Sequence, residues 1–170
     1  MPDELLEVVD ETGRVIGLAP RSLVHADRSL LHRVAHVLVV NRAGEILLQK
    51  RSTVKTVAPG KWDTSVGGHL EVGETPETAA RREMEEELGA TGEIEFLYTW
   101  IWRDTFESEL VTSYLCRHEG PFRCNLLETE ELCFLPVSGI NERLGSGLFT
   151  AQFEEEFTRY LTWLGRSASE

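Results

Sequence analysis

The chain has few cysteines and few basic residues, and it contains no long hydrophobic run. Its cysteines, Cys116, Cys124 and Cys133, are odd in number and lack metal-binding spacing, which favours free thiols in a reducing cytoplasm over a disulfide framework. Seventeen Lys and Arg against 29 Asp and Glu give a formal net charge of −12, which argues against nucleic acid polymers and anionic membranes as partners. No segment resembles a membrane span or a signal peptide. We therefore expect a cytoplasmic protein without a membrane partner.

The remaining composition is that of a globular protein. A length of 170 residues and a hydrophobic content of 41% predict one domain, residues 1–170, that can bury a substantial core. Residues 1–32 read as an N-terminal β-hairpin extension, because two β-rich runs flank the turn DETG. Alternating and β-rich patterns predict strands, and aromatic residues at helical spacing predict a C-terminal helix, residues 150–165. The strands are expected at 34–40, 45–50, 94–102 and 109–117.

The main motif lies in residues 68–90, GHLEVGETPETAARREMEEELGA. It follows the pattern G-x5-E-x7-R-E-U-x-E-E-x-G-U, in which U is a bulky apolar residue. The fixed positions are Gly68, Glu74, Arg82, Glu83, Met84, Glu86, Glu87 and Gly89, and Ala90 stands at the last U. Thr75 suits an N-cap, Pro76 suits the first helical position and Gly89 suits a C-terminal stop, so the pattern predicts a helix over about 76–88.

This helix has two different faces. At 3.6 residues per turn, Glu83, Glu86 and Glu87 project within an arc of roughly 100°. The neighbouring apolar stripe consists of Ala80, Met84 and Leu88. Carboxylates this close raise one another's pKa unless a cation relieves them, and hard oxygen ligands suit Mg²⁺ or Mn²⁺. An ordinary solvated acidic helix with i,i+4 ion pairs is the alternative.

The motif resembles the Nudix box, and the chain is similar to Nudix hydrolases. The resemblance implies an α/β fold, a Nudix α/β/α sandwich with a mixed β-sheet. It also implies hydrolysis of a diphosphate linkage in a small molecule, a nucleoside diphosphate linked to another moiety. The metal, Mg²⁺ or Mn²⁺, is then expected on the carbonyl of Gly68 and on Glu83, Glu86 and Glu87. Arg82 would orient a carboxylate, and Glu74 would brace the loop and the start of the helix or contact the metal through water. Glu83 is the first candidate for the general base. Glu130 and Glu131, in LETEEL, are candidates outside the box, although an acidic turn that caps a helix explains them as well. Nudix proteins are frequently dimers, so a homodimer stays open.

A second set of residues resembles the metal site of type I isopentenyl-diphosphate isomerases, which share the Nudix fold. Three histidines and two glutamates occur in the same order and with matching local spacing: His25, His32, His69, Glu107 and Glu109. Such a set suits a transition metal. Arg51 and Lys55 match basic residues that hold the isomerase's diphosphate, so we expect them to bind substrate.

The decisive departure from the isomerases is at position 67. Their catalytic cysteine falls just before the glycine of a Gly-His step, where this sequence has Gly67. The isomerases have also degenerated the REUxEE segment, which is intact here. The sequence therefore favours a hydrolase. An isopentenyl-diphosphate isomerase or other isoprenoid-diphosphate enzyme, and a non-catalytic nucleotide sensor, remain as alternatives.

Overall fold

The N-terminal segment forms the expected hairpin. The computed structural model describes residues 2–169, in which strands β1 (Leu5–Val9) and β2 (Val15–Pro20) pair antiparallel. The carboxylate of Asp10 accepts hydrogen bonds from the backbone of the turn, and Gly13 adopts a φ of 88° there. A short helix, α1 (Arg21–Val24), follows and leads the chain into the main sheet.

A long strand, β3 (Leu31–Val40), organises the main sheet. Along its whole length it pairs in parallel with β8 (Ser108–Arg117), which in turn pairs antiparallel with β7 (Ile94–Arg103). The other edge of β3 meets β1 at its start, β6 (Val66–His69) in its middle and β4 (Ile46–Arg51) at its end. The sheet is therefore mixed, as the sequence predicts.

The strands β3 and β4 diverge after a single pairing, between Val40 and Ile46. β4 pairs instead with β5 (Trp62–Asp63) and β9 (Thr129–Leu135). The divergence leaves a gap in the sheet beside β6, and this gap becomes the cleft described below. The sequence interpretation did not foresee β9, nor the helix α3 (Val137–Glu142) that follows it.

One face of the sheet is covered by helix α2 (Pro76–Leu88), the helix of the motif. The Thr75 side chain accepts a hydrogen bond from the backbone of Thr78, and Gly89 ends the helix with a φ of 62°. These caps are the predicted ones. The buried side of the helix consists of Ala79, Ala80, Met84 and Leu88, and Ala90 is buried in the same core.

The opposite face is covered by helix α4 (Ala151–Ser169), which is longer than the predicted 150–165. Phe153, Phe157 and Tyr160 are buried there against Leu38 and Val40 of β3. Since α2 and α4 lie on opposite faces of a mixed sheet, the expected α/β/α sandwich is confirmed. Within residues 2–169, no helix combines the length and apolar character needed to cross a membrane.

Candidate functional site

A cleft of about 550 Å³ opens where β3 and β4 separate. Its lining comes from the loop and helix of the motif, from β4, and from the start of α4. Acidic groups of α2 and basic side chains of β4 and the following loop both line it. The cleft therefore brings the predicted metal ligands and the predicted substrate-binding cations together.

Two glycines allow α2 to approach β6 closely. A Cβ atom built on Gly68 would clash with the carboxylate of Glu83, so any other residue at this position would force the Glu83 side chain to move. The backbone amide of Gly67 donates a hydrogen bond to Oε2 of Glu87 at 3.1 Å. The side chains of Glu83 and Glu87 are thus pressed against the backbone of the loop, whereas Glu86 lies at the exposed margin of the cleft.

Arg82 holds the motif together through several hydrogen bonds. Its guanidinium donates to both carboxylate oxygens of Glu74 at 2.9 Å and to the carbonyl of His69 at 3.0 Å. It also donates to Glu83 at 2.8 Å and, more weakly, to Glu86 at 3.4 Å. Glu74 accepts a further bond from the backbone of Glu71, which supports its predicted role in bracing the loop. Arg82 therefore orients the carboxylates of Glu74 and Glu83.

The two inner carboxylates are electrostatically unfavourable without a cation. Burial and, to a lesser extent, the charge of Glu83 raise the pKa of Glu87 to about 8, although the hydrogen bond from Gly67 opposes this rise. Burial also raises the pKa of Glu83, and the hydrogen bond from Arg82 offsets part of this rise. Because an ion between them would relieve both effects, the geometry suits a divalent cation.

The two predicted substrate-binding cations line the cleft and are paired with acids. Arg51 lies 3.4 Å from Asp63 and donates to the carbonyl of Val57, while Lys55 forms an ion pair with Glu128. Both side chains are only partly exposed. They hold positive charge at the cleft, where an anionic ligand could compete for it.

The structure also brings the histidines and glutamates of the second set together. The Nε2 atoms of His25 and His69 lie 3.1 Å apart. Oε2 of Glu107 lies 3.4 Å from Nε2 of His25 and 3.9 Å from Nε2 of His32. Glu109 completes a second triplet with His32 and Glu107, whose ligand atoms lie within 4.8 Å of one another. We call these five residues the His/Glu cluster.

The His/Glu cluster contains buried polar atoms without protein partners. Neither ring nitrogen of His32 makes a hydrogen bond within the part of the chain that the structure describes, and the same holds for Oε2 of Glu107. Burial lowers the pKa of His32 to about 4 and that of His69 to about 3, with neighbouring imidazoles contributing. Burial raises the pKa of Glu107 to about 7. At neutral pH the imidazoles therefore keep the lone pairs that metal ligation needs.

The structure adds two polar residues that the sequence interpretation missed. His36 of β3 lines the cleft, and its Nδ1 lies 2.7 Å from Oε2 of Glu156 on α4. Glu156 is fully buried, because it lies in the same buried stripe of that helix as Phe153. An acid inside an apolar helical stripe was the available signal, but its partner is 120 residues away in the chain.

Two outside candidates for the general base, Glu130 and Glu131, lie on β9. Glu130 accepts hydrogen bonds from the backbone and the hydroxyl of Thr53, both at 2.9 Å, and is exposed. Neither glutamate is among the residues that line the cleft. The interpretation of this segment as an acidic turn capping a helix was wrong, because the segment pairs with β4.

Comparisons with known proteins agree with this geometry. A model of the NUDIX domain matches residues 30–157. An uncharacterised Nudix hydrolase of Streptomyces coelicolor is 35% identical over 171 residues, 97% of this chain and 92% of that protein. An isopentenyl-diphosphate Delta-isomerase of Streptomyces avermitilis is 30% identical over 156 residues, 88% of this chain and 79% of that protein. The crystal structure of DR0079 from Deinococcus radiodurans has a TM-score of 0.81 at 25% identity and covers 92% of this chain and 98% of that one.

The fold, the box helix and the relatives lead to one assignment. The domain model covers most of the chain, and the S. coelicolor relative is similar along nearly its whole length. The chain therefore belongs to the Nudix family and is a hydrolase that acts on pyrophosphate bonds.

Proposed function

We propose that this protein is a divalent-metal-dependent hydrolase of a nucleoside diphosphate linked to another moiety. The observation that carries the proposal is the partly buried pair Glu83 and Glu87, pressed against the backbone of Gly67 and Gly68 at the wall of a cleft. A desolvated carboxylate such as Glu87, whose pKa is raised to about 8, is costly in its charged form unless it serves a ligand. The ligand that fits an all-oxygen set of this kind is Mg²⁺ or Mn²⁺.

The residues that would hold this ion are Glu83, Glu86 and Glu87 with the carbonyl of Gly68. When bound, such an ion neutralises charge on phosphoryl oxygens and lowers the pKa of a coordinated water. Arg82 keeps the carboxylate of Glu83 oriented, and Glu74 holds Arg82 by a bidentate bond. Glu83 is the first candidate to accept a proton from the attacking water, since burial raises its pKa towards the working range of a base.

Arg51 and Lys55 are proposed to bind the diphosphate. They lie at the cleft and are paired with Asp63 and Glu128. A doubly or triply charged diphosphate can replace these acids as the partner of a guanidinium or ammonium group. Because they line the same cleft as the carboxylates of α2, these two cations would attract a small anionic substrate there despite the net charge of −12.

We further propose that the His/Glu cluster holds a second, transition-metal ion. His32 has two buried ring nitrogens without a partner among the described residues, which is costly unless a ligand satisfies one of them. Three imidazoles and two carboxylates form a donor set typical of transition metals. In the isomerases a catalytic cysteine acts beside this metal site, whereas this protein has Gly67 at the position of that cysteine.

The alternatives are separated by one screen. Nucleoside diphosphate derivatives, dinucleoside polyphosphates and isopentenyl diphosphate are incubated with Mg²⁺ or Mn²⁺, and products are identified by mass. Metal-dependent release of phosphate, pyrophosphate or a nucleoside monophosphate supports the hydrolase. Conversion of isopentenyl diphosphate to its isomer would support the isomerase instead, and binding of a nucleotide without metal or turnover would support a sensor.

Helix α2, which carries the Nudix box, gives the sharpest mutational test. Glu86→Gln and Glu87→Gln are each expected to reduce kcat/KM by at least about 10³, or about 4 kcal/mol of barrier, because each removes a charged metal ligand. Glu85→Gln is the matched control, because Glu85 is exposed on the same helix and does not line the cleft. Full activity in both test variants would remove α2 from the mechanism.

A further inference from the structure

A buried chain of hydrogen bonds links β7, β8, α4 and β3 behind the cleft. The indole of Trp100 donates to the hydroxyl of Ser113 at 3.1 Å, and that hydroxyl donates to Oε1 of Glu156 at 2.6 Å. Oε2 of Glu156 faces Nδ1 of His36 at 2.7 Å. Arg159 lies over the indole, 5.0 Å from its centroid. Each of the four linked groups is buried.

The direction of this series of hydrogen bonds is fixed by its first donor, the indole of Trp100. An indole N–H can only donate, so the single proton of Ser113 is free for Glu156. Glu156 therefore accepts on Oε1, and its other oxygen accepts the Nδ1 proton of His36. A carboxylate that fixes one ring nitrogen of a histidine determines where the other nitrogen points.

The other nitrogen, Nε2 of His36, lies beside Gly67. A Cβ atom built on Gly67 would lie 3.2 Å from Nε2 and 3.1 Å from Cδ2 of this ring. A side chain at position 67 would thus cover the polar edge of the imidazole, whereas glycine leaves it open to the cleft. No hydrogen bond of Nε2 is found among residues 2–169.

We propose that His36 is a further catalytic residue, whose Nε2 donates a hydrogen bond to a phosphoryl oxygen of the diphosphate, and that Glu156 is its positioning residue. This inference rests on the hydrolase function proposed above. The ring lies in the cleft close to Gly67, whose amide binds Glu87, so a diphosphate held at the box helix comes within its reach. No covalent step is assigned to His36.

The electrostatics of the pocket agree with a donor at Nε2. Burial alone lowers the pKa of His36, but the charge of Glu156 and the hydrogen bond to it raise the pKa to about 9. Glu109 of β8 and Asp63 of β5 add to this rise, and His36 lowers the pKa of Glu87 on α2 in return. An imidazolium among these acids supplies positive charge where the anionic substrate must enter.

The test uses the full chain with Mg²⁺ and inorganic pyrophosphate as the probe. The ¹⁵N resonance of Nε2 in His36 is followed during addition of pyrophosphate, and binding is measured by calorimetry. We expect this resonance to shift in the wild-type protein. An unchanged resonance while pyrophosphate binds would overturn the role of His36 and leave the hydrolase proposal standing. Absence of pyrophosphate binding would overturn both.

Three variants separate contact from structure. The amide of Asn can replace Nδ1 towards Glu156 but cannot reach the cleft, so His36→Asn is expected to weaken pyrophosphate binding at least about tenfold. His36→Gln keeps a donor on the cleft side and is expected to lose less. Gly67→Ala covers Nε2 and is expected to resemble His36→Asn, while Gly17→Ala, at a position without close neighbours, serves as the control. Wild-type affinity in both His36→Asn and Gly67→Ala would contradict the proposal.

The positioning role of Glu156 has its own readout. In Glu156→Gln the hydrogen bond can persist while the charge is lost, so the pKa of His36, measured by NMR titration, is expected to fall from about 9. Pyrophosphate binding is expected to weaken in parallel. An unaltered titration of His36 in a folded Glu156→Gln protein would exclude Glu156 as its positioning residue.

Discussion

Gly68 shows how a single backbone position shapes the proposed metal site. The Cβ atom that any other residue would carry there overlaps the carboxylate of Glu83. Glycine thus lets a partly buried carboxylate lie directly against the strand, and the carbonyl of the same residue is the further oxygen ligand proposed above. The close packing of Glu83 and its proposed role as a metal ligand therefore depend on the same missing side chain.

Gly68→Ala is expected to displace Glu83 and to lower both the affinity for Mg²⁺ and the hydrolytic rate by at least about tenfold, a loss of about 1.4 kcal/mol. Overpacking should also cost about 1–3 kcal/mol of stability. Calorimetric titration with Mg²⁺ and thermal unfolding measure the two effects. The control is again Gly17→Ala, which meets no atom within 4 Å. Wild-type Mg²⁺ affinity in Gly68→Ala would argue against close approach as a requirement.

Glu87 makes the stability of the metal-free protein depend on pH. Its pKa is raised from an ordinary value of 4.5 to about 8, so the folded state holds the proton more tightly than the unfolded state. The stabilisation from this proton is complete below the unfolded pKa and is lost as the pH rises through the folded one.

Glu87→Gln removes this dependence, because an amide stays neutral. The variant is expected to unfold at a higher temperature than the wild type near pH 8, with a much smaller difference near about pH 5. Each 1 kcal/mol corresponds to about 2–4 °C for a chain of this size. Melting curves recorded with a chelator present measure this difference in unfolding temperature, and Glu85→Gln is the control. An equal shift at both pH values would contradict the raised pKa of Glu87.

At the scale of the element, α2 carries a packing face and the proposed metal ligands on adjoining faces. Its buried stripe includes Met84 and Leu88, and its carboxylates face the cleft. Caps at Thr75 and Gly89 fix both ends of the helix. The register of the glutamates is therefore set by the same contacts that bury the stripe.

Met84→Ala is expected to destabilise the protein by about 2–5 kcal/mol, since the side chain is 1% exposed and its loss leaves a cavity. Urea unfolding gives the difference in free energy. Glu85→Ala, one residue further along the same helix and exposed, should change stability by less than about 0.5 kcal/mol. Similar effects of the two substitutions would show that α2 does not depend on its buried stripe.

At the scale of the whole molecule, separate segments converge on the cleft. The His/Glu cluster takes ligand candidates from the end of α1, from β3, from β6 and from the start of β8. Parallel pairing of β3 with β8 places His32 opposite Glu109, and antiparallel pairing of β6 with β3 brings His69 beside Val34. Only the folded sheet joins these residues.

Two distinct ion sites are therefore expected per chain. The wild-type protein should bind two Mn²⁺ ions, and His32→Gln and Glu87→Gln should each bind one, because each variant removes a ligand from a different site. Electron paramagnetic resonance titration counts the bound ions. His118→Gln serves as the control, since His118 contacts Phe122 and lies outside the cluster. Two ions in His32→Gln would refute the second site.

The sequence by itself determined the features that depend on neighbouring residues. The ends of α2, its carboxylate face and its apolar stripe follow from capping residues and a period of 3.6. The first hairpin and the longer strands follow from turn residues and alternation, with bounds that differ by a few residues from those observed. β9 escaped prediction because two adjacent glutamates interrupt its apolar pattern, and its pairing with β4 outweighs that local signal.

Only the tertiary structure decided which distant residues meet. Strand pairing sets the gap between β3 and β4 and the open edge of His36 beside Gly67. The position of α4 on the sheet sets the hydrogen bond between His36 and Glu156. No local pattern encodes a contact across 120 residues, because burial and pairing are settled when the two faces of the sheet close. The residues of the Nudix box thus lie in one contiguous segment, whereas the cleft around them forms only when distant segments pack together.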